Sequence, residues 1–176
     1  RTIEKTLGAG SGSAIRFNNV SKIFGGVRAL DNVSFEVGRG EVHCLAGENG
    51  SGKSTLIKII TGVYQPELGA VMEFFGKPEA STTPHLARAH GIAVIWQDLA
   101  LFGEMTVAEN IAFETLVGGK PRIVNYSRIM TQAHEALAKL GVELDLAASL
   151  NTLPIAQRQL VAIARALVND ARLIFM

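Results

Sequence analysis

The stretch GENGSGKST, Gly47 to Thr55, constrains this chain more than any other. It satisfies G-x-x-x-x-G-K-[ST], with the apolar run Val42–Ala46 before it and the helical run Lys53–Thr61 after it. Strand, glycine-rich loop and helix in that order make a cradle for phosphate. Gly50 and Gly52 carry no side chains, so successive backbone N–H groups can curl into an anion nest. The helix that follows aims its unpaired N–H groups and positive dipole end at the same point. Lys53 can reach the β- and γ-phosphates, Ser54 can offer its hydroxyl to Mg²⁺, and Thr55 can bond the α-phosphate. Gly47, Asn49, Gly50, Ser51, Gly52, Lys53, Ser54 and Thr55 are thus the expected phosphate contacts, with Lys53 also catalytic.

The rest of the chain reads as an α/β protein. Alternation at Ile15, Phe17 and Val20, then at Val33, Phe35 and Val37, predicts two strands of an antiparallel layer. Gly38–Gly40 turns the chain into Val42–Ala46, a continuous apolar run suited to a buried central strand, where Cys44 is expected as a buried thiol. VMEFF and IAVIW predict further strands, with a helix around Pro84–His90 between them. Thr106 and Glu109 form a T-x-x-E capping box opening a helix through Val117, which Gly118 and Gly119 end. Ile129, Ala133, Ala136, Leu137 and Leu140 stripe a second helix, ended by Gly141. Leu153, Ala156, Leu160, Ile163, Ala164 and Leu167 stripe a third, with Pro154 in its first turn and Arg158 and Arg165 on its solvated side. LIFM returns to strand.

Composition removes several classes. The 17 basic and 16 acidic side chains leave a net charge of +1 and no basic stripe, so no nucleic-acid partner is expected. A single cysteine allows neither an intrachain disulfide nor a cysteine metal cluster. No apolar run approaches the ~18 residues of a membrane span, and the first residues lack a secretory h-region. Residues 1–14 read as a tag or linker, their GAGSGS run having no strand before it to make a dinucleotide loop. His43, His85, His90 and His134 are expected to be ordinary surface or strand histidines.

GTPases normally carry N-K-x-D, and that tetrapeptide is absent. Three further features stand at telling positions. Phe24 lies 29 residues before Lys53 and is followed by two glycines that suit an exposing turn. Gln97 leaves the strand IAVIW. The segment Leu153-Pro154-Ile155-Ala156-Gln157 opens the helix QLVAIARAL. Together with the phosphate loop, these resemble the nucleotide-binding domain of ABC ATPases over residues 15–176, with a helical subdomain at about 101–170. The implied fold is a P-loop NTPase (RecA-like) core with an antiparallel β layer and an inserted helical subdomain.

The resemblance implies roles for these residues. Phe24 would stack on adenine, and Gln97 would approach Mg²⁺ and the attacking water, serving as a catalytic and metal-facing residue beside Ser54. Leu153–Gln157 occupies the place of the L-S-G-G-Q signature, which contacts the γ-phosphate held by a second nucleotide-binding domain. Pro154 replaces its serine, and Ile155 and Ala156 replace its glycines, so a weak or non-hydrolytic composite site is expected there; Gln157 is retained. The wording of the loops is similar to the monosaccharide-importer branch, whose members often carry two such domains in tandem.

ATP and Mg²⁺ are the implied cofactors. The implied partners are a second nucleotide-binding domain, as homodimer or tandem, and a transmembrane permease. Membrane attachment would come only through that permease, at the cytoplasmic face of the inner or plasma membrane. The complete protein would be an ATPase driving sugar import. Met176 precedes the position of the family's Asp-Glu pair, so this chain is expected to bind ATP yet hydrolyse it poorly. A non-transport ABC ATPase and a nucleotide-binding module without hydrolysis are the alternatives.

Overall fold

A computed structural model describes residues 12–96, 98–118 and 124–176. The chain divides into two units, one up to Ile92 and one from Ala93 onward.

The first unit is built on a four-stranded antiparallel sheet. Strands β1 (Ser13–Phe24) and β2 (Val27–Gly38) form a hairpin through Gly25 and Gly26. Both glycines have positive φ, 51° and 87°, as the tight primed hairpin turn demands. β3 (Val71–Phe74) pairs with the other edge of β1, and β4 (Lys77–Glu79) pairs with β3, giving the order β2-β1-β3-β4. The expected alternation holds: Phe17 faces Phe35 in one ladder and Met72 in the other, and Ile15 faces Val37 and Phe74. Ile15, Phe17, Val20, Met72 and Phe74 are buried. Helix α1 (Lys53–Ile60) buries Leu56, Ile59 and Ile60. Helix α2 (Pro84–Ala89) is capped by Thr83, whose hydroxyl accepts from Leu86 N–H, with Pro84 in its first turn.

The expectation of a central strand fails in this unit. Val42–Ala46 is not a buried strand: beyond a single bridge at Val42 it carries no ladder in the described residues. Val42 is 71% exposed and Cys44 is exposed as well. An apolar run becomes a central strand only where two neighbours pair with it, and the sheet of this unit grows from β1 and β3 instead.

The second unit is mainly helical. Strands β5 (Ile92–Val94) and β6 (Leu173–Phe175) make a two-stranded sheet, with Ile95 N–H donating to Phe175 C=O at 2.8 Å. β5 is shorter than IAVIW suggested. Thr106 caps helix α3 (Val107–Ile111) with the full reciprocal box to Glu109. This helix stops at Ala112, and α4 (Phe113–Gly118) starts anew, so the single helix expected through Val117 is two. Helices α5 (Tyr126–Lys139) and α6 (Ile155–Val168) pack with α3 around Val107, Ile111, Ile129, Ala133, Leu137, Leu150, Val161 and Ala164. The buried face of α6 therefore runs through Val161, Ala164 and Val168. Leu160, Ile163 and Leu167 are only half-buried and Ala156 is exposed, so the expected stripe is displaced around the helix. Among the described residues no helix is long and apolar enough to cross a membrane.

Candidate functional site

The loop Gly47–Gly52 enters α1 without a side-chain cap and without an acidic residue in the first turn. A helix start left open in this way keeps its N–H groups and dipole free for an anion. Ser51 N–H donates to Glu48 C=O at 3.2 Å, closing a turn over Asn49 and Gly50, whose φ is 85°. Gly52 has φ 91°, and a Cβ there would meet Ala29 O at 2.5 Å. Gly50 is required for its dihedral alone, Gly52 for its dihedral and for close approach to β2. At Gly47 a Cβ would meet the Ser51 hydroxyl at 2.6 Å.

Lys53 reaches back over this loop. Its ammonium donates to the Gly47 and Glu48 carbonyls, each at 2.7 Å, and to Ser51 Oγ at 3.3 Å. Among the described residues, the positive charge is thus held by neutral acceptors. A cavity of about 370 Å³ adjoins it, lined by Ala46, Gly47, Ser51, Lys53 and Leu56 among others. Ser54 is exposed and Thr55 half-buried in the first turn. Among the described residues no group of three His, Cys, Asp or Glu could hold a metal ion.

Phe24 ends β1 and is 40% exposed, as its glycine turn suggested. Its ring meets Tyr64 edge to face at 5.2 Å, and Lys22 Nζ lies 5.6 Å from its centroid. Gln97 lies outside the described residues. The loop after it contains two successive non-glycine residues with positive φ, Leu99 (55°) and Ala100 (45°).

At the start of α6, Leu153 is buried, while Pro154, Ile155 and Ala156 are exposed and Gln157 is half-buried. Pro154 occupies the N-cap, one step ahead of the expected first turn, and offers no side-chain cap. Leu153 before it is extended (φ −85°, ψ 143°), the conformation a following proline imposes. Neither arginine of α6 is merely solvated. Arg158 Nε donates to Leu153 O at 2.8 Å and its Nη2 to Asn151 O at 2.9 Å. Arg165 donates to Ala100 O at 2.9 Å and Leu99 O at 3.2 Å, and burial lowers its pKa against the opposing charge of Glu114.

Sequence reasoning missed other residues too. Asn110 is fully buried; its amide donates to Phe102 O (2.9 Å) and Thr106 O (3.0 Å) and accepts from Phe102 N–H (2.8 Å). That tie holds the loop before α3. An asparagine inside an apolar helix was the available signal. His90, expected as an ordinary surface or strand histidine, is instead buried at the C-cap of α2, with Nε2 2.9 Å from Glu79 and its ring stacked on Phe74.

The model of the ABC transporter family matches residues 30–176. The chain is 45% identical over 174 residues to the ribose import ATP-binding protein RbsA 2 of Rubrobacter xylanophilus, covering 96% of this chain and 33% of that protein. It is 47% identical over 165 residues to the arabinose import ATP-binding protein AraG 1 of Burkholderia lata, covering 92% and 32%. The chain thus spans about a third of the length of the curated relatives it matches. Among solved structures, an ATP-binding cassette of an ABC transporter in its ADP conformation matches with a TM-score of 0.78 at 30% identity, over 93% of this chain and 68% of that one. A nucleotide-free cassette matches with a TM-score of 0.76, also at 30% identity and with the same coverage. These neighbours carry the P-loop NTPase fold expected from Gly47–Thr55.

Proposed function

The chain belongs to the ABC transporter family, and we propose that it is an ATP-binding domain of a sugar importer. The complete protein couples ATP binding and hydrolysis to movement of a sugar through a membrane permease. The observation that carries this reading is the Lys53 ammonium, held 2.7 Å from two carbonyls of the glycine loop at the open start of α1. The names of the relatives, ribose and arabinose import ATP-binding proteins, support the choice of solute class.

When bound, ATP with Mg²⁺ supplies the phosphoanhydride that is cleaved. The N–H groups of Gly50, Ser51, Gly52 and Lys53 bind the phosphate oxygens, with Gly47 and Asn49 shaping the loop. The Lys53 ammonium, already hydrogen-bonded to the loop carbonyls, would transfer its hydrogen bonds to the β- and γ-phosphates. Thr55 bonds the α-phosphate. Ser54 would offer its hydroxyl to the divalent ion, and Gln97, which lies outside the described residues, would orient the attacking water. Phe24 stacks on adenine. Leu153–Gln157 faces the nucleotide of a second nucleotide-binding domain, either a second copy or a tandem domain. Attachment is peripheral, at the cytoplasmic face, through the permease.

Isothermal titration of Mg-ATP into the chain and into Lys53→Ala tests the reading. The wild type should give saturable heat, and the variant should bind roughly 100-fold more weakly, the value of one or two hydrogen bonds to charged oxygen. A folded wild type giving no heat at millimolar ATP would end it.

A further inference from the structure

The loop that follows α1 reaches the far end of β1 by four separate routes. Val63 and Tyr64 N–H both donate to Lys58 C=O, at 2.8 and 3.0 Å, so Tyr64 is bolted to the last turn of α1. Lys58 Nζ then lies 5.2 Å from the Tyr64 ring, and that ring meets Phe24 at 5.2 Å. Three residues on, Glu67 N–H donates to Ser21 C=O at 2.9 Å. The Glu67 carboxylate accepts from Ile23 N–H at 3.1 Å and pairs with Lys22 at 3.5 Å. Residues 21–24 are therefore gripped on backbone, charge and ring at once.

We propose that Tyr64 and Glu67 are positioning residues for the nucleobase: they hold Phe24 at a set distance from the phosphate loop. The proposal rests on Phe24 being the base platform. The physical reason is a rigid connection. Helix α1 carries Lys53 at one end and, through its C-terminal cap, Tyr64 at the other, a rise of about 12 Å over eight residues. A hairpin tip with an exposed Phe would otherwise swing, since the ladder of β1 and β2 is irregular between Val20 and Ile23. An aromatic ring contributes to stacking only when it is already oriented, because ordering it on binding costs entropy. The edge-to-face pair fixes the Phe24 ring, and Glu67 fixes the strand that carries it.

Titration with two probes, ATP and inorganic tripolyphosphate, separates base from phosphate. Tyr64→Leu and Glu67→Ala should each weaken ATP by about three- to tenfold, the worth of one aromatic pair, while tripolyphosphate affinity stays level. Glu67→Gln, which still accepts from Ile23 N–H, should recover most of that loss. Retained tripolyphosphate binding also reports that the variants are folded. If Phe24→Ala weakens ATP selectively and the Tyr64 and Glu67 variants do not, the positioning role is wrong and the platform stands. If Phe24→Ala leaves the ATP-to-tripolyphosphate ratio unchanged, the platform itself is wrong. Parallel loss of both ligands in the Tyr64 and Glu67 variants overturns the proposal in favour of general support of the fold.

Discussion

Two helix starts in this molecule share their terminal physics and differ in everything around it. Neither α1 nor α6 has a side-chain cap, and neither has an acidic residue in its first turn. Both leave N–H groups and a positive dipole end open. At α1 the preceding loop bends back through two left-handed glycines, so its own amides and the Lys53 ammonium converge with the helix start. At α6 the preceding residue is Pro154, extended at ψ 154°, with no N–H to add. Exposed Ile155 follows it, and the Arg158 guanidinium turns backward to the Leu153 and Asn151 carbonyls. A dipole end is common to both. What makes one of them a cradle is a loop able to deliver donors to the same point.

The largest effect should come from closing the loop conformation at α1. Gly52→Ala places a Cβ against Ala29 O and forces an L-residue to φ 91°. Strain of this kind costs about 1–3 kcal/mol, to be read as a lower urea midpoint together with loss of Mg-ATP heat. Unchanged midpoint and affinity would remove the glycine loop from the contrast. At α6 the opposite change should help. Pro154→Ser supplies a hydroxyl to cap the N–H of Ala156 or Gln157, and should raise stability by about 0.5–2 kcal/mol in the same assay. A neutral or destabilising result would mean that Pro154 is worth at least as much for its rigid φ as a cap would be.

The same contrast explains what could be read in advance. The conformation of the glycine loop was legible because most of what sets it is local: glycine dihedrals, a turn of four residues and a lysine reaching back six positions to Gly47; the approach of Gly52 to Ala29 was not. The β1–β2 hairpin and the Thr106–Glu109 box were legible for the same reason. Val42–Ala46 was misread because strand burial is decided by neighbours, not by the run itself. The buried face of α6 was misplaced because α3 and α5 choose it. Arg165, whose partners Leu99 and Ala100 lie 66 and 65 positions away, could only be read as a polar face. Long-range pairing leaves no periodic trace in the chain.

The smallest effect concerns a third helix start, that of α3, where a carboxylate does what α6 lacks. Thr106 N–H donates to Glu109 Oε2 at 2.8 Å and the Tyr126 hydroxyl donates to Oε1 at 2.7 Å; in that order these bonds pull the Glu109 pKa below the usual carboxylate range, against a smaller effect of burial. A carboxylate held more acidic in the folded state stabilises the fold fully above its unfolded pKa. That contribution fades as pH falls from the ordinary glutamate range through the depressed folded value. Glu109 is largely solvated, so less than about 1 kcal/mol is at stake. Glu109→Gln keeps an acceptor for Thr106 N–H but cannot titrate. Subtracting its urea stability from that of the wild type between pH 7 and pH 3 cancels the other carboxylates, Glu36 and Glu67 included. The difference should shrink as the solution is acidified. A difference that stays level would mean that the reciprocal box is held by geometry alone, and the charge at this helix start would then count for as little as its absence does at α6.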